Sequence, residues 1–95
     1  MKKTFSLTSP NHKPDRQVEL VKHEINKYIA RERRKALPAG VDFWDFNCKC
    51  GPNADSAVTI HLSEMGKQID KTAATNATAV YVEILSKPAV RNKKT

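Results

Sequence analysis

The chain has little of what marks catalysis, secretion or membrane insertion. Its three glycines stand alone at positions 40, 51 and 66. No glycine-rich run offers the backbone cradle that a nucleotide phosphate needs, and no nucleophile with a paired base is visible. Apolar stretches reach only about four residues, too short to cross a bilayer. Met1-Lys2-Lys3-Thr4-Phe5 leads into alternating sequence without the apolar core of a signal peptide. A cytoplasmic protein without a membrane anchor is expected. Cysteine is scarce as well. Cys48 and Cys50 are the only two, and in a strand their Cα atoms would lie about 7 Å apart, too far for an unstrained disulfide. Two reduced thiols in a reducing compartment are the simpler reading. Zinc would need two further ligands, and the paired-cysteine spacing of a structural site is missing. No metal and no cofactor are expected.

What the chain has in excess is positive charge. Over 95 residues, 17 Lys and Arg stand against 10 Asp and Glu, a net charge of +7. The excess is concentrated. Lys2, Lys3, Lys87, Arg91, Lys93 and Lys94 lie near the ends, and without them the net charge falls to +1. Residues 27–35 alone carry +4, whereas residues 41–86 carry −3. The domain is polarised.

Ninety-five residues suit one domain with a modest core. Hydrophobic alternation predicts strands over 4–8, 41–50, 57–62 and 79–86. Residues 4–8 would turn Phe5 and Leu7 inward. Residues 41–50 would bury Trp44, Phe46, Cys48 and Cys50 and expose Phe43, Asp45, Asn47 and Lys49. Val58, Ile60 and Leu62, then Val80, Val82 and Ile84, would complete the inward rows, leaving Thr59, His61, Tyr81 and Glu83 outside. The first helix is expected over 16–36, capped by Asp15, with Val18, Val21, Ile25, Tyr28 and Ile29 on its apolar side. Pro38 and Gly40 would end it. Ser63 is placed to cap a second helix over 63–74, in which Met65, Ile69 and Ala73 face inward and Gly66 weakens the segment. Residues 1–87 would form the domain and 88–95 a disordered basic tail.

The order strand, helix, strand, strand, helix, strand matches a ferredoxin-like α+β sandwich, with strands ordered 4-1-3-2 and both helices on one face of a four-stranded antiparallel sheet. That path brings the start of the first strand, the end of the first helix and the end of the last strand to one pole. Lys2, Lys3, Arg31, Arg33, Arg34, Lys35, Lys87, Arg91, Lys93 and Lys94 would converge there. Like charges held together raise the energy of the folded state, and a bound polyanion relieves that cost. The expected function is therefore non-catalytic binding of nucleic acid, RNA ahead of DNA, or of another polyanion. Arg31, Arg33, Arg34 and Lys35 would form a fixed platform, with Lys2, Lys3, Arg91, Lys93 and Lys94 as mobile arms.

In this topology the outward aromatics Phe43 and Tyr81 would sit on edge strands beside Asp45 and Glu83, an arrangement that disfavours base stacking on the sheet. The alternative function is a protein-interaction or assembly module, in which strand 41–50 lies at the sheet edge and adds to a partner's strand. A small enzyme would need Asp45, His61 and Glu83 around one pocket. Glu32 breaks its local pattern, because it falls within the apolar stripe between Tyr28 and Ala36. It is expected to reach the domain edge and pair with a cation.

The run from Arg31 to Cys48 (RERRKALPAGVDFWDFNC) is distinctive. So are Lys2-Lys3-Thr4-Phe5, Lys22-His23-Glu24, Ile60-His61-Leu62-Ser63-Glu64 and Tyr81-Val82-Glu83-Ile84-Leu85. Together they resemble a family of small basic proteobacterial proteins known only as a domain of unknown function. The resemblance spans nearly the whole chain and implies a bacterial, stand-alone cytoplasmic protein. Cys50 falls outside the family's pattern, which weakens a two-thiol metal site further. No activity or site residue comes with the resemblance.

Overall fold

The computed structural model describes residues 1–90. Its elements are β1 (Lys2–Ser6), α1 (Pro14–Arg33), β2 (Phe43–Gly51), β3 (Val58–Ile60), a 3-10 turn (Leu62–Glu64), α2 (Met65–Ala74) and β4 (Ala79–Ala89). This is an α+β fold with one four-stranded antiparallel sheet and two helices. The core is a single cluster. Phe5, Leu7, Phe46, Cys48, Cys50, Val80, Val82 and Ile84 from the strand segments meet Val18, Val21, Ile25 and Ile29 of α1 and Met65 and Ile69 of α2.

The strand order is β1-β4-β2-β3, not the 4-1-3-2 of a ferredoxin-like sandwich. Each helix still crosses between strands running in the same direction. β4 lies between β1 and β2, and β2 lies between β3 and β4. Burial explains which pair is central. Cys48, Cys50, Val80, Val82 and Ile84 are fully buried and need cover on both sides. β3 is only three residues long and leaves Val58 half exposed, which suits an edge.

Element ends also depart from expectation. α1 starts at Pro14, with Lys13 as an N-cap that makes no side-chain bond, and Asp15 falls inside the first turn. It stops at Arg33 instead of continuing to 36. There the backbone tightens, with Arg34 N donating to Arg31 O and Lys35 N to Glu32 O. The freed Lys35 carbonyl then accepts from the Trp44 indole at 2.9 Å, so Trp44 spends its polar edge on the helix end and is only half-buried. The chain turns through Pro38–Val41, closed by Val41 N to Pro38 O at 3.2 Å, with Gly40 at φ +80. That value suits the third residue of a type II turn.

The cap of the second helical segment is His61, whose Nδ1 accepts from Ser63 N, and α2 itself begins at Met65. β1 is Lys2–Ser6, so Lys2 and Lys3 are strand residues and not mobile arms. β4 runs to Ala89, so residues 88 and 89 are strand where the tail was expected. Arg91, Lys93 and Lys94 lie outside the described residues.

Candidate functional site

Glu32 organises the pole where α1 ends. It is 7% exposed, the one buried carboxylate among the described residues. Its Oε2 lies 2.6 Å from Lys35 Nζ. Its Oε1 accepts from Tyr28 Oη at 3.3 Å and from Ser86 Oγ at 3.4 Å. Tyr28 Oη in turn accepts from the Met1 amino group at 3.3 Å, and Met1 pairs through its backbone with Ile84. One carboxylate therefore ties together the chain before β1, the last turns of α1 and the middle of β4. The Lys35 hydrogen bond, reinforced by those from Tyr28 and Ser86, holds the Glu32 carboxyl below the ordinary range against the opposing effect of burial. Burial, then the charge of Glu32 and the hydrogen bond to it, push the Tyr28 phenol up. The expectation that Glu32 meets a cation at the domain edge is met by Lys35.

The acid inside the basic run is thus turned inward and neutralised. Arg31, Arg33 and Arg34 remain on the surface, and no ion pair is formed by any of them among the described residues. Arg33 places its guanidinium 5.7 Å from the centre of the Phe46 ring. Beside it, Arg33, Leu37, Asp42, Phe43 and Trp44 line an open groove of about 570 Å³. Leu37 is 41% exposed there.

The other anticipated cations divide. Lys3 shares the helix side of the sheet edge, 3.7 Å from Glu24 and 4.9 Å from the Phe5 ring centre. Lys2 pairs in register with Glu83 and faces the opposite, open side of the sheet. Lys87 stands four residues further along β4, about 13 Å away, and lies 4.0 Å from Asp45. The end of α1 lies near the start of β1. Lys2, however, is opposite Glu83, six residues before the end of β4 at Ala89, so the cations of β1 and those near the end of β4 are spread along the sheet and not gathered at one point. Lys35, Lys3 and Lys87 each have an acid within reach, so among the described residues the platform without acidic partners is Arg31, Arg33 and Arg34.

Phe43 and Tyr81 are on the two central strands, not on edges as expected. They sit at opposite ends of the β2–β4 pair, since Phe43 is opposite Ala89 and Tyr81 is opposite Gly51. Strand 41–50, expected at the edge, corresponds to β2 inside the sheet. β4 pairs along its whole length and β3 covers Cys48–Cys50.

Asp45, His61 and Glu83 do not meet. Asp45 and Glu83 face the open side of the sheet, while His61 bonds to Ser63 at 2.9 Å and lines a groove of about 430 Å³ between α1 and the start of α2. Cys48 and Cys50 are buried free thiols on the core side. Burial raises both, Cys50 to about 11. No cluster of three metal-ligating side chains occurs among the described residues, and no helix there is long and apolar enough to cross a membrane.

A family model described as a family of unknown function (DUF6172) matches residues 1–95. No curated protein and no solved structure matches the chain.

Proposed function

We propose a phosphate-gripping role for this chain, which belongs to the family of unknown function (DUF6172) whose model spans it. The ligand is a nucleic acid, single-stranded RNA ahead of DNA. The setting is a bacterial cytoplasm, where two reduced thiols such as Cys48 and Cys50 persist.

The observation that carries this reading is the inward turn of Glu32. In sequence the run 31–35 alternates an acid into the cations. In the fold that acid is buried against Lys35, Tyr28 and Ser86, which leaves Arg31, Arg33 and Arg34 on the outer surface with no acid between them. Arginine is suited to phosphate because its planar fork donates two parallel hydrogen bonds. The neighbouring groove supports the preference for single strands. Leu37 and Trp44 beside the Arg33 guanidinium give an unstacked base an apolar surface and a cation to lie against. Contacts of this kind hold the backbone and discriminate sequence weakly.

The test is a gel-shift titration of nuclease-treated protein with single-stranded RNA at low salt, with DNA of equal length as competitor. Retardation that fades as salt rises is expected. No binding at low salt would overturn the proposal.

A further inference from the structure

The open face of the sheet carries a repeated pattern. Reading outward-facing residues in chain order, β4 presents Tyr81, Glu83, Leu85, Lys87 and Ala89, and β2 presents Phe43, Asp45, Asn47 and Lys49, while Gly51 at its end is buried. Both run aromatic, acid, uncharged, lysine. The strands are antiparallel and in register at Asn47 and Leu85, so the rows across them are Glu83 with Lys49, Asn47 with Leu85, and Asp45 with Lys87. Charge therefore alternates along each strand and across each row. Glu83 and Lys49 make no ion pair with each other among the described residues, and Leu85 is 42% exposed at the centre.

A surface patterned this way is complementary to itself. Turning a second copy over about an axis across the strands, through the Asn47–Leu85 row, sets Leu85 on Leu85. The same operation brings Glu83 opposite Lys87 of the second copy and Asp45 opposite its Lys49, and symmetry repeats both pairs. An axis along the strands would also match charges, with Glu83 against Lys49. It would, however, set Leu85 on Asn47 and bring the two arginine-rich poles to the same end. Two chains of net charge +7 repel least with those poles apart. We infer that the open sheet face, centred on Leu85 with Glu83, Lys87, Asp45 and Lys49 around it, is the interface of a symmetric homodimer with the basic poles at opposite ends.

The inference rests on the three inner rows. Stacked sheets cross at about 30°, so rows further out drift by a strand or more. The face is about 27 Å long on its two central strands, but β1 and β3 flank it over only five and three residues, so it offers roughly 400 Å² per copy. That is below the usual size of a specific, stable interface and implies weak, concentration-dependent pairing.

Sedimentation equilibrium of nuclease-treated protein, up to about 1 mM, tests this. Wild type is expected to shift from monomer to dimer across that range. Glu83→Lys and Lys87→Glu should each self-associate at least about tenfold more weakly, because each sets like charges face to face twice. An equimolar mixture of the two variants should recover association as a heterodimer. There the introduced lysine faces the introduced glutamate, and at the symmetry-related contact the native Glu83 faces the native Lys87. These positions lie on the surface, and far-UV circular dichroism checks that both variants fold. A wild type monomeric throughout would overturn the inference. So would a dimer whose two variants fail to rescue one another, and rescue of Glu83→Lys by Lys49→Glu instead would assign the axis along the strands. None of these outcomes depends on whether the basic pole binds RNA.

Discussion

The charge accounting at the end of α1 separates residues that look alike in sequence, and salt titration can read the difference. If about six phosphates are neutralised, the slope of log affinity against log salt for a single strand is about −4. Raising salt from about 50 to about 200 mM then weakens binding roughly 300-fold. Arg31→Gln with Arg34→Gln removes two cations that have no acidic partner among the described residues. The slope should fall to about −3, and the same salt step should cost only roughly 50-fold. Glu32→Gln with Lys35→Met also removes a cation, but one already spent on a carboxylate 2.6 Å away. Net charge is unchanged, and the slope should stay at the wild-type value. Fluorescence anisotropy of a labelled single-stranded RNA at four or five salt concentrations supplies the slopes. The reasoning fails if the Glu32/Lys35 pair lowers the slope as much as the arginine pair, because the buried ion pair would then not have sequestered the lysine.

Further outcomes concern the fold that holds this pole. At Gly66 a Cβ would meet nothing within 4 Å, whereas at Gly51 it would meet Ala57 Cα at 2.8 Å and Ser56 O at 2.9 Å, both backbone. Gly66→Ala should therefore raise stability by about 0.5–1 kcal/mol and Tm by a few degrees. Gly51→Ala should lower stability by about 1–3 kcal/mol, and calorimetry showing the same sign at both positions would refute the reading. The Glu32 carboxyl is held below its ordinary value, so the unfolded chain binds that proton first on acidification. Its contribution is fully present above the unfolded value and lost as pH falls through the folded one. Denaturant midpoints from pH 7 down to 3 should fall less steeply for Glu32→Gln, and parallel curves would exclude the role. With Cys50 raised to about 11 and Cys48 raised by burial, both thiols should resist a disulfide reagent at pH 8 until denaturant is added. Labelling of the native protein at the rate of a free thiol would contradict their burial.

Much of the local structure was legible because alternation and helical spacing report burial directly. Val80, Val82 and Ile84, and Val18, Val21, Ile25 and Ile29, are inward as their periods require. Glu32 was legible for the opposite reason, as a charge placed where the stripe demands an apolar residue. Strand order was not legible in this way, because both arrangements satisfy the same crossovers and differ only in long-range pairing. The available signal was length, since β1 and β3 carry too few apolar positions to need cover on two sides. Pro88 hid the end of β4. A proline normally argues against a strand interior, but even-numbered residues of β4 aim their backbone groups toward β1, as the Ile84 bonds to Met1 show. β1 does not extend beside Pro88, so the missing N–H costs no ladder bond. The distribution of the cations between paired and unpaired also escaped sequence reasoning, because it depends on which face of the last helical turn Glu32 occupies.

A blander account of Arg31, Arg33 and Arg34 is that cations stabilise the negative end of a helix, and it leads to a different experiment. The dipole is worth about 0.3–1 kcal/mol per exposed charge near the terminus. Mutual repulsion among three arginines within four residues acts against that gain. Glu32 does not relieve the repulsion, since Lys35 has already claimed its charge. A helix selected only for stability would be served by one or two cations and would place no acid in its last turn. If the dipole is the whole reason, Arg31→Gln with Arg34→Gln should destabilise the domain in the absence of any polyanion, measurably so at low salt. If the cluster exists for a ligand, the same double variant should be as stable as wild type or more so, and should lose the stabilisation that added RNA gives wild type. A clear loss of stability without RNA, and equal protection by RNA in both proteins, would return these arginines to the role of a helix end.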